Sequence, residues 1–223
     1  MSAFPSEPVT PRVFFEDTIP ALFAETELDD AERAVDLKLG VILHDSKGDD
    51  EGGEWTLHFS EGALAISHGR AEECEVTIVL RVVDWRSALW EGRPGLIADA
   101  VASVAESGPA ALRRPGSGHG SGNPNALRGL SEIQGLIEAI IVGESEETDD
   151  WRVGIRIGPG PIPESPQATI LLGTEQADAI RRGDLHPLEA LITGQLRLEG
   201  DLGLIIQLQA VAMTASMPKD PAS

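Results

Sequence analysis

"GQLRLEGDLGLIIQLQAVAM" occupies Gly194 to Met213, and its reading decides the fold. Leu196 and Leu198 alternate with polar residues, as in a half-buried strand. Gly200-Asp201 then breaks the extended pattern, and an apolar helix is expected from Leu202 onward. A helix at a protein surface shows one apolar stripe and one polar face. Here only Gln207 and Gln209 are polar, so a second apolar row needs a partner. At helical spacing Leu202, Ile205, Ile206 and Gln209 lie near one another, and Leu204, Leu208 and Val211 form an adjoining row. One row can pack on the Leu196–Leu198 strand. The other lines a cavity or meets another apolar element, such as the first half of the chain.

Upstream of this segment the periodicity is that of an α/β chain. "ATILLG" reads as a strand, "TEQADAIRRGD" as a short helix ending at Gly183, and "HPLEALITG" as a second helix with Pro187 in its first turn. Before them, "LIEAIIVG" and "WRVGIRIG" read as strands, with Trp151, Val153, Ile155 and Ile157 alternating. The Pro-rich "PGPIPESP" connects onward. The first half has a similar order. "RVFFEDTIPALFAE" reads as a helix with Phe14, Phe15, Ile19, Leu22 and Phe23 on roughly one face, and with Pro20 kinking it or opening a new turn. "AVDLKLGVILHD", "EWTLHF", "ALAIS" and "CEVTIVLRV" follow as strands. "DWRSALWEG" is a short helix, with Asp84 as its N-cap and Gly92 past its end. "GLIADAVASVAE" is another helix.

The order of elements repeats. Trp55 and Trp151 are 96 positions apart, Val76 and Ala168 are 92 apart, and Gly92 and Gly183 are 91 apart. Such drifting offsets fit two divergent copies with altered loops, and they also fit unrelated alternating strands. The division expected is a first unit over 11–106, a Gly/Ser/Pro-rich linker over 107–125, and a second unit over 126–216.

The stretch "ATILLGTEQADAIRRGDLHPLEALITGQLRLEGDLGLIIQLQ" resembles the C-terminal half of the sterol carrier protein type 2 domain. "FFEDTIPALFAE" is similar to that family's first helix, and "GGEWTLHFSEG" with "CEVTIVL" to two of its strands. The resemblance covers about two-thirds of the chain. It departs from the family pattern at Gln195 and Arg197, where lysines are usual, and at His186-Pro187 in place of Asp-Pro. The first half has no counterpart of "GQLRLEGD" after "DWRSALWEG", so it is either a related unit or a truncated copy.

The resemblance implies an α/β (α+β) fold, a mixed twisted sheet with helices over one face and an apolar tunnel between them. It implies binding, sequestration or transfer of a sterol, fatty acid, acyl chain or other apolar small molecule. The ligand-facing residues expected are Ile180, Leu188, Leu191, Ile192, Leu204, Ile205 and Leu208, with Trp85, Leu89 and Trp90 as second choices. A buried methylene gains ~0.8 kcal/mol, so an acyl chain of about 12 carbons could gain ~10 kcal/mol before association costs. A membrane offers nearly the same, so transfer is close to neutral. The alternatives are an enzyme or accessory protein that uses the same cavity on an apolar metabolite, and an interaction module with a filled tunnel.

Composition narrows the partners. The chain carries 37 acidic against 17 basic residues, for a net charge of -20, which disfavours nucleic acid and anionic bilayers. Soluble donors or a partner enzyme would then supply the ligand. No window is apolar enough for stable membrane insertion, the N-terminus is not a secretory signal, and one cysteine allows no internal disulfide, so a cytoplasmic protein is expected. His44, His58, His68, His119 and His186 are scattered, and zinc needs three or four convergent ligands. No metal, catalytic group or cofactor is expected. "GPGPIP" lacks the Lys-Ser/Thr of a phosphate loop. Cys74 sits among Glu72, Glu73 and Glu75, whose charges disfavour a thiolate.

Overall fold

Alternating apolar residues give the strands one greasy side each, and hydrogen bonding lines those sides up. The computed structural model describes residues 4–44, 52–91, 134–143 and 150–207. The strands are β1 (Leu37–His44), β2 (Gly53–Ser60), β3 (Ala63–His68), β4 (Val76–Arg81), β5 (Gly135–Val142), β6 (Trp151–Ile157), β7 (Ala168–Gly173) and β8 (Leu196–Gly200). They form one mixed sheet in the order β3-β2-β1-β4-β6-β5-β7-β8. The fold is mixed α/β.

Each half repeats one connectivity. β1 and β2 are antiparallel and β4 runs parallel to β1; β5 and β6 are antiparallel and β7 runs parallel to β5. The first half adds β3 outside β2, and the second adds β8 outside β7. Where either half would need a further strand at the junction, β4 and β6 pair with each other, antiparallel, from Val76↔Ile157 to Leu80↔Val153. The "PGPIPESP" stretch accordingly carries no strand.

The register corrects one proposed correspondence. Leu39 pairs with Val76 and Leu57, and Ile137 pairs with Ala168 and Ile155. In that frame Trp55, opposite Val41, matches Val153, opposite Ala139. Trp151 lies two residues earlier, at the level of Gly53. Its indole N–H donates to the Asp84 carbonyl at 2.8 Å, a bond made from the strand's first residue.

Helices cover the face that carries Leu37, Val41, Trp55, Leu57, Phe59, Leu80, Ile141 and Val153. The first helix runs as α1 (Pro11–Val13), a π-helical turn (Phe14–Thr18) and α2 (Ile19–Ala24). Pro20 lies in the first turn of α2, in keeping with the new turn expected there, and the chain stays helical into it through the π-helical turn. A proline ring clashes with the carbonyl four residues before it, and the wider turn, in which Ile19 N–H donates to Phe14 C=O, makes room. Phe14 and Phe15 are thereby buried; Phe15 stacks on Trp55 at 4.7 Å, and Phe14 meets Trp85 edge-on at 5.3 Å. A short α3 (Asp30–Arg33) is held by a capping box between Asp29 and Glu32, a D-x-x-E signal that the periodicity reading passed over.

The helix α4 (Val82–Trp90) begins three residues earlier than its sequence suggests, with Arg81 rather than Asp84 at the N-cap position. Asp84 is therefore in the first turn rather than the cap, and its carboxylate takes Arg81 Nη2 at 2.8 Å. Arg81 also donates to the Asp150 carbonyl at 2.6 Å. These bonds and the Trp151 indole tie α4 to the start of β6. In the second half α5 (Thr174–Arg182) ends at Gly183, and α6 (Pro187–Ile192) precedes β8, as the sequence implies. The expected helix over "GLIADAVASVAE", the linker at 107–125 and the end of the last helix lie outside the described residues.

Gly200 makes the strand-to-helix break. Its φ is +91°, and a Cβ there would stand 2.3 Å from the Gln167 carbonyl oxygen. Gly200→Ala is expected to lower stability by about 2 kcal/mol or more in chemical denaturation, from both backbone strain and backbone overlap. Asp201→Ala is expected to cost about 1 kcal/mol through its lost cap.

Candidate functional site

The site begins at that break. Asp201 N–H donates to Gln167 C=O at 2.8 Å, which pins the end of β8 to the start of β7. Its Oδ1 accepts from Gly203 N–H at 2.8 Å and Leu204 N–H at 3.2 Å, so Asp201 caps the helical residues 202–207. The cap sets the helix rotation. Leu204 and Ile205 turn inward, 6% and 3% exposed, onto Ile137, Ile157 and Ala168. Leu204 rests on bare backbone: a Cβ on Gly135 would come within 2.7 Å of its Cδ2.

Leu202 and Ile206, one turn apart, point away from that cluster and are 55% and 64% exposed. The grouping differs from the sequence reading, which put Ile205 in the row with Leu202 and Ile206. Residues i and i+4 share a face, but the cap and the sheet choose which pair goes inward. Leu198 packs beneath with the inner pair, and Leu196 is buried beside it on the same strand face.

The other expected residues divide. Ile192 is 77% exposed, and Ile180 and Leu191 are half-buried. Leu208 and the side chain of Leu188 are outside the described residues. In the first half, Trp85 and Leu89 are packed in the aromatic core at 2% and 9% exposure. Trp90 is half-buried, and its indole N–H donates to the Pro5 carbonyl at 2.9 Å. The structure thus groups Leu204 with Ile205, and Trp85 with Leu89 and Trp90, in separate clusters.

Two open grooves flank β3, at the opposite edge of the sheet from β8. One, of about 390 Å³, runs between Phe23, Leu28 and Leu64; the other, of about 460 Å³, has Arg12, Glu16, Ile66 and His68 on its walls. Hydrogen bonds from Arg12 and from the Trp55 indole hold the Glu16 carboxyl below its usual range. Nothing in the alternation of β3 signals these grooves, because they depend on where the first helix lies.

Among the described residues no three His, Cys, Asp or Glu side chains gather in a metal-binding group, and no helix is long and apolar enough to cross a membrane. Cys74 is fully buried. Burial pushes its thiol up, against the opposing Thr56 hydroxyl and Arg70 charge; the neighbouring Glu73 adds least. Burial, more than the flanking carboxylates, is therefore what keeps the thiol neutral.

No protein-family model matches the chain. Over 87 residues it is 26% identical to hydroxysteroid dehydrogenase-like protein 2 of Xenopus tropicalis. That stretch is 37% of this chain and 20% of the relative, so the chain spans about a fifth of that protein's length. Among solved structures the similarity is to sterol carrier protein 2 domains. Sterol carrier protein 2 like 2 of Aedes aegypti is 20% identical, covers 39% of this chain and 93% of its own, and has a TM-score of 0.28. Sterol carrier protein domain 2 of Helicoverpa armigera is 17% identical, with 42% and 79% covered and a TM-score of 0.33. Sterol carrier protein 2 of Yarrowia lipolytica, in its apo form, is 10% identical, with 41% and 77% covered and a TM-score of 0.30.

A raised thiol pKa means that the folded state resists ionisation. Native chain at pH 8 is expected to react with a thiol reagent about 100-fold more slowly than unfolded chain. The sign for stability follows: the unfolded thiol ionises first, so the contribution of Cys74 is whole below the unfolded value and declines as pH rises past it. Denaturant midpoints for the chain and Cys74→Ala, compared from pH 7 to 10, measure that decline.

Proposed function

We propose that this chain binds an apolar, lipid-like molecule against the second half and sequesters or transfers it. The observation that carries the reading is the pair Leu202 and Ile206. They stand on a helix whose opposite side is anchored in the core, and more than half of each side chain is open to water. Covering a side chain of this size is favourable by roughly 1.5–3 kcal/mol. Ile192, more exposed still, precedes the same strand-turn-helix segment. The sequence of that segment resembles the sterol carrier protein type 2 pattern, which supports an acyl chain or a sterol as the guest. The relative's name, hydroxysteroid dehydrogenase-like, is in keeping with a steroid-sized ligand.

In this reading Leu202, Ile206 and Ile192 meet the ligand first. Ile180 and Leu191 extend the apolar surface, and Leu204 and Ile205 form its floor, while Leu188 and Leu208 are proposed as ligand contacts on their sequence positions alone. Trp85, Leu89 and Trp90 belong to the core of the first half. The two halves are divergent copies of one unit that share a sheet, divided near the Gly/Ser/Pro-rich 107–125 stretch. The exposed pair on the helix, Leu202 and Ile206, is apolar, and binding rather than turnover is the proposed role. The net charge of -20 opposes collision with anionic membranes, and a soluble donor or a partner enzyme delivers the ligand.

Delipidated chain is expected to take up a fluorescent fatty acid, and oleate or cholesterol to displace it. Leu202→Asp with Ile206→Asp is expected to weaken uptake by about tenfold or more, at little cost in melting temperature, since both positions are exposed. Equal uptake by the double variant, or none by the parent chain, would remove the proposal.

A further inference from the structure

On the sheet face turned away from the aromatic core, the junction of the two halves holds two guanidinium groups. Arg156 in β6 stands opposite Thr77 in β4 and Leu136 in β5, and is only 7% exposed. Its Nη1 donates to Ile157 C=O and its Nη2 to Pro159 C=O at 2.8 Å, while its Nε is buried with no partner. Arg70 approaches from the turn after β3. Its Nε donates to Thr77 Oγ1 at 2.8 Å and its Nη2 to Gly160 C=O at 2.8 Å. Both guanidinium groups are thus hung on carbonyls of a single turn. That turn is fastened to residues 72–75 by Gly160 N–H to Glu72 C=O and Gly158 N–H to Glu75 C=O.

The electrostatics of this arrangement are unbalanced. Among the described residues no carboxylate pairs with either guanidinium, in a chain with 37 acidic residues. Glu72, Glu73 and Glu75 lie on the adjoining turn and are exposed. Burial and the charge of Arg70 both push the Arg156 pKa down. A guanidinium offers five N–H donors, and the contacts above engage two from each. Gly160 has φ +105°, and a Cβ there would be in ordinary contact with Arg156 Nη2 at 3.6 Å.

The geometry points to an oxyanion site: the Arg70–Arg156 pair binds a small carboxylate or phosphate group across the β4–β6 junction. Planar donor forks match the paired oxygens of such groups, and a bound anion supplies the missing countercharge. The site is on the other face of the sheet from Leu204 and Ile205, so it stands or falls apart from the lipid-binding reading.

The test uses the full chain, titrated with sodium phosphate or sodium acetate against sodium chloride at matched ionic strength, and read by thermal unfolding and calorimetry. Saturable stabilisation by several degrees at millimolar phosphate or acetate is expected, and the arm that responds identifies the group. Arg156→Met is expected to abolish the effect. Should that variant fail to fold, Arg70→Ala at the half-buried position is expected to lower anion affinity about tenfold. A parent chain that responds to phosphate and acetate no more than to chloride overturns the proposal, as does unchanged affinity in Arg70→Ala.

Discussion

The antiparallel pairing of β4 with β6 is the constraint on which the rest of this structure depends. Strands at a sheet edge leave N–H and C=O groups unpaired, and a chain must cover them, blunt them or pair them. Here each half has its own outer strand, β3 or β8, and each presents a bare strand inward. Joining those two strands satisfies both at once and makes a single eight-stranded sheet. The Arg81, Asp84 and Trp151 bonds reinforce the same seam from the helical side. On the other side Arg70 reaches across it to the Gly160 carbonyl, in the turn that also holds Arg156.

The two halves are unequal in chemistry. The first half contributes Phe14, Phe15, Trp55 and Trp85, whose rings fill the space between sheet and helices. The second half has only Trp151 among its aromatics, and that ring is turned toward α4. Its own cluster, around Ile137, Ile157, Ala168, Leu204 and Ile205, is smaller and wholly aliphatic. A small aliphatic floor with Leu202 and Ile206 standing outside it is a surface suited to an apolar guest. The proposed function therefore belongs to the second half, with the aromatic core of the first half beside it.

Much of this was legible in the residue pattern. All eight strands were read from the residue pattern, most directly where period-two alternation marks one side facing a core, as in β6. Gly183 and Gly200-Asp201 marked a helix end and a helix start, for the backbone and capping reasons that make those residues punctuation. Other features were hidden. Pro20 signalled a kink or a new turn, but not the π-helical turn that precedes α2. Asp84 looked like a cap, but Arg81 and Trp151 drew it one turn inward. Arg156 holds a polar position in the alternation of β6, yet it is buried and bonded to carbonyls of the turn that follows it.

The candidate site shows the same division. That the last helix is apolar on nearly every side follows from its composition and the 3.6-residue period, which are local properties. Which pair of leucines and isoleucines would go inward was not local. It was decided by the Asp201 cap, by the Gln167 carbonyl that holds Asp201, and by the bare backbone of Gly135 that receives Leu204. Likewise the sequence by itself determined an α/β chain of strongly acidic composition. Only the tertiary structure decided that the halves share one sheet, since strand pairing between β4 and β6 is a contact between segments some 75 residues apart and leaves no mark on either segment alone.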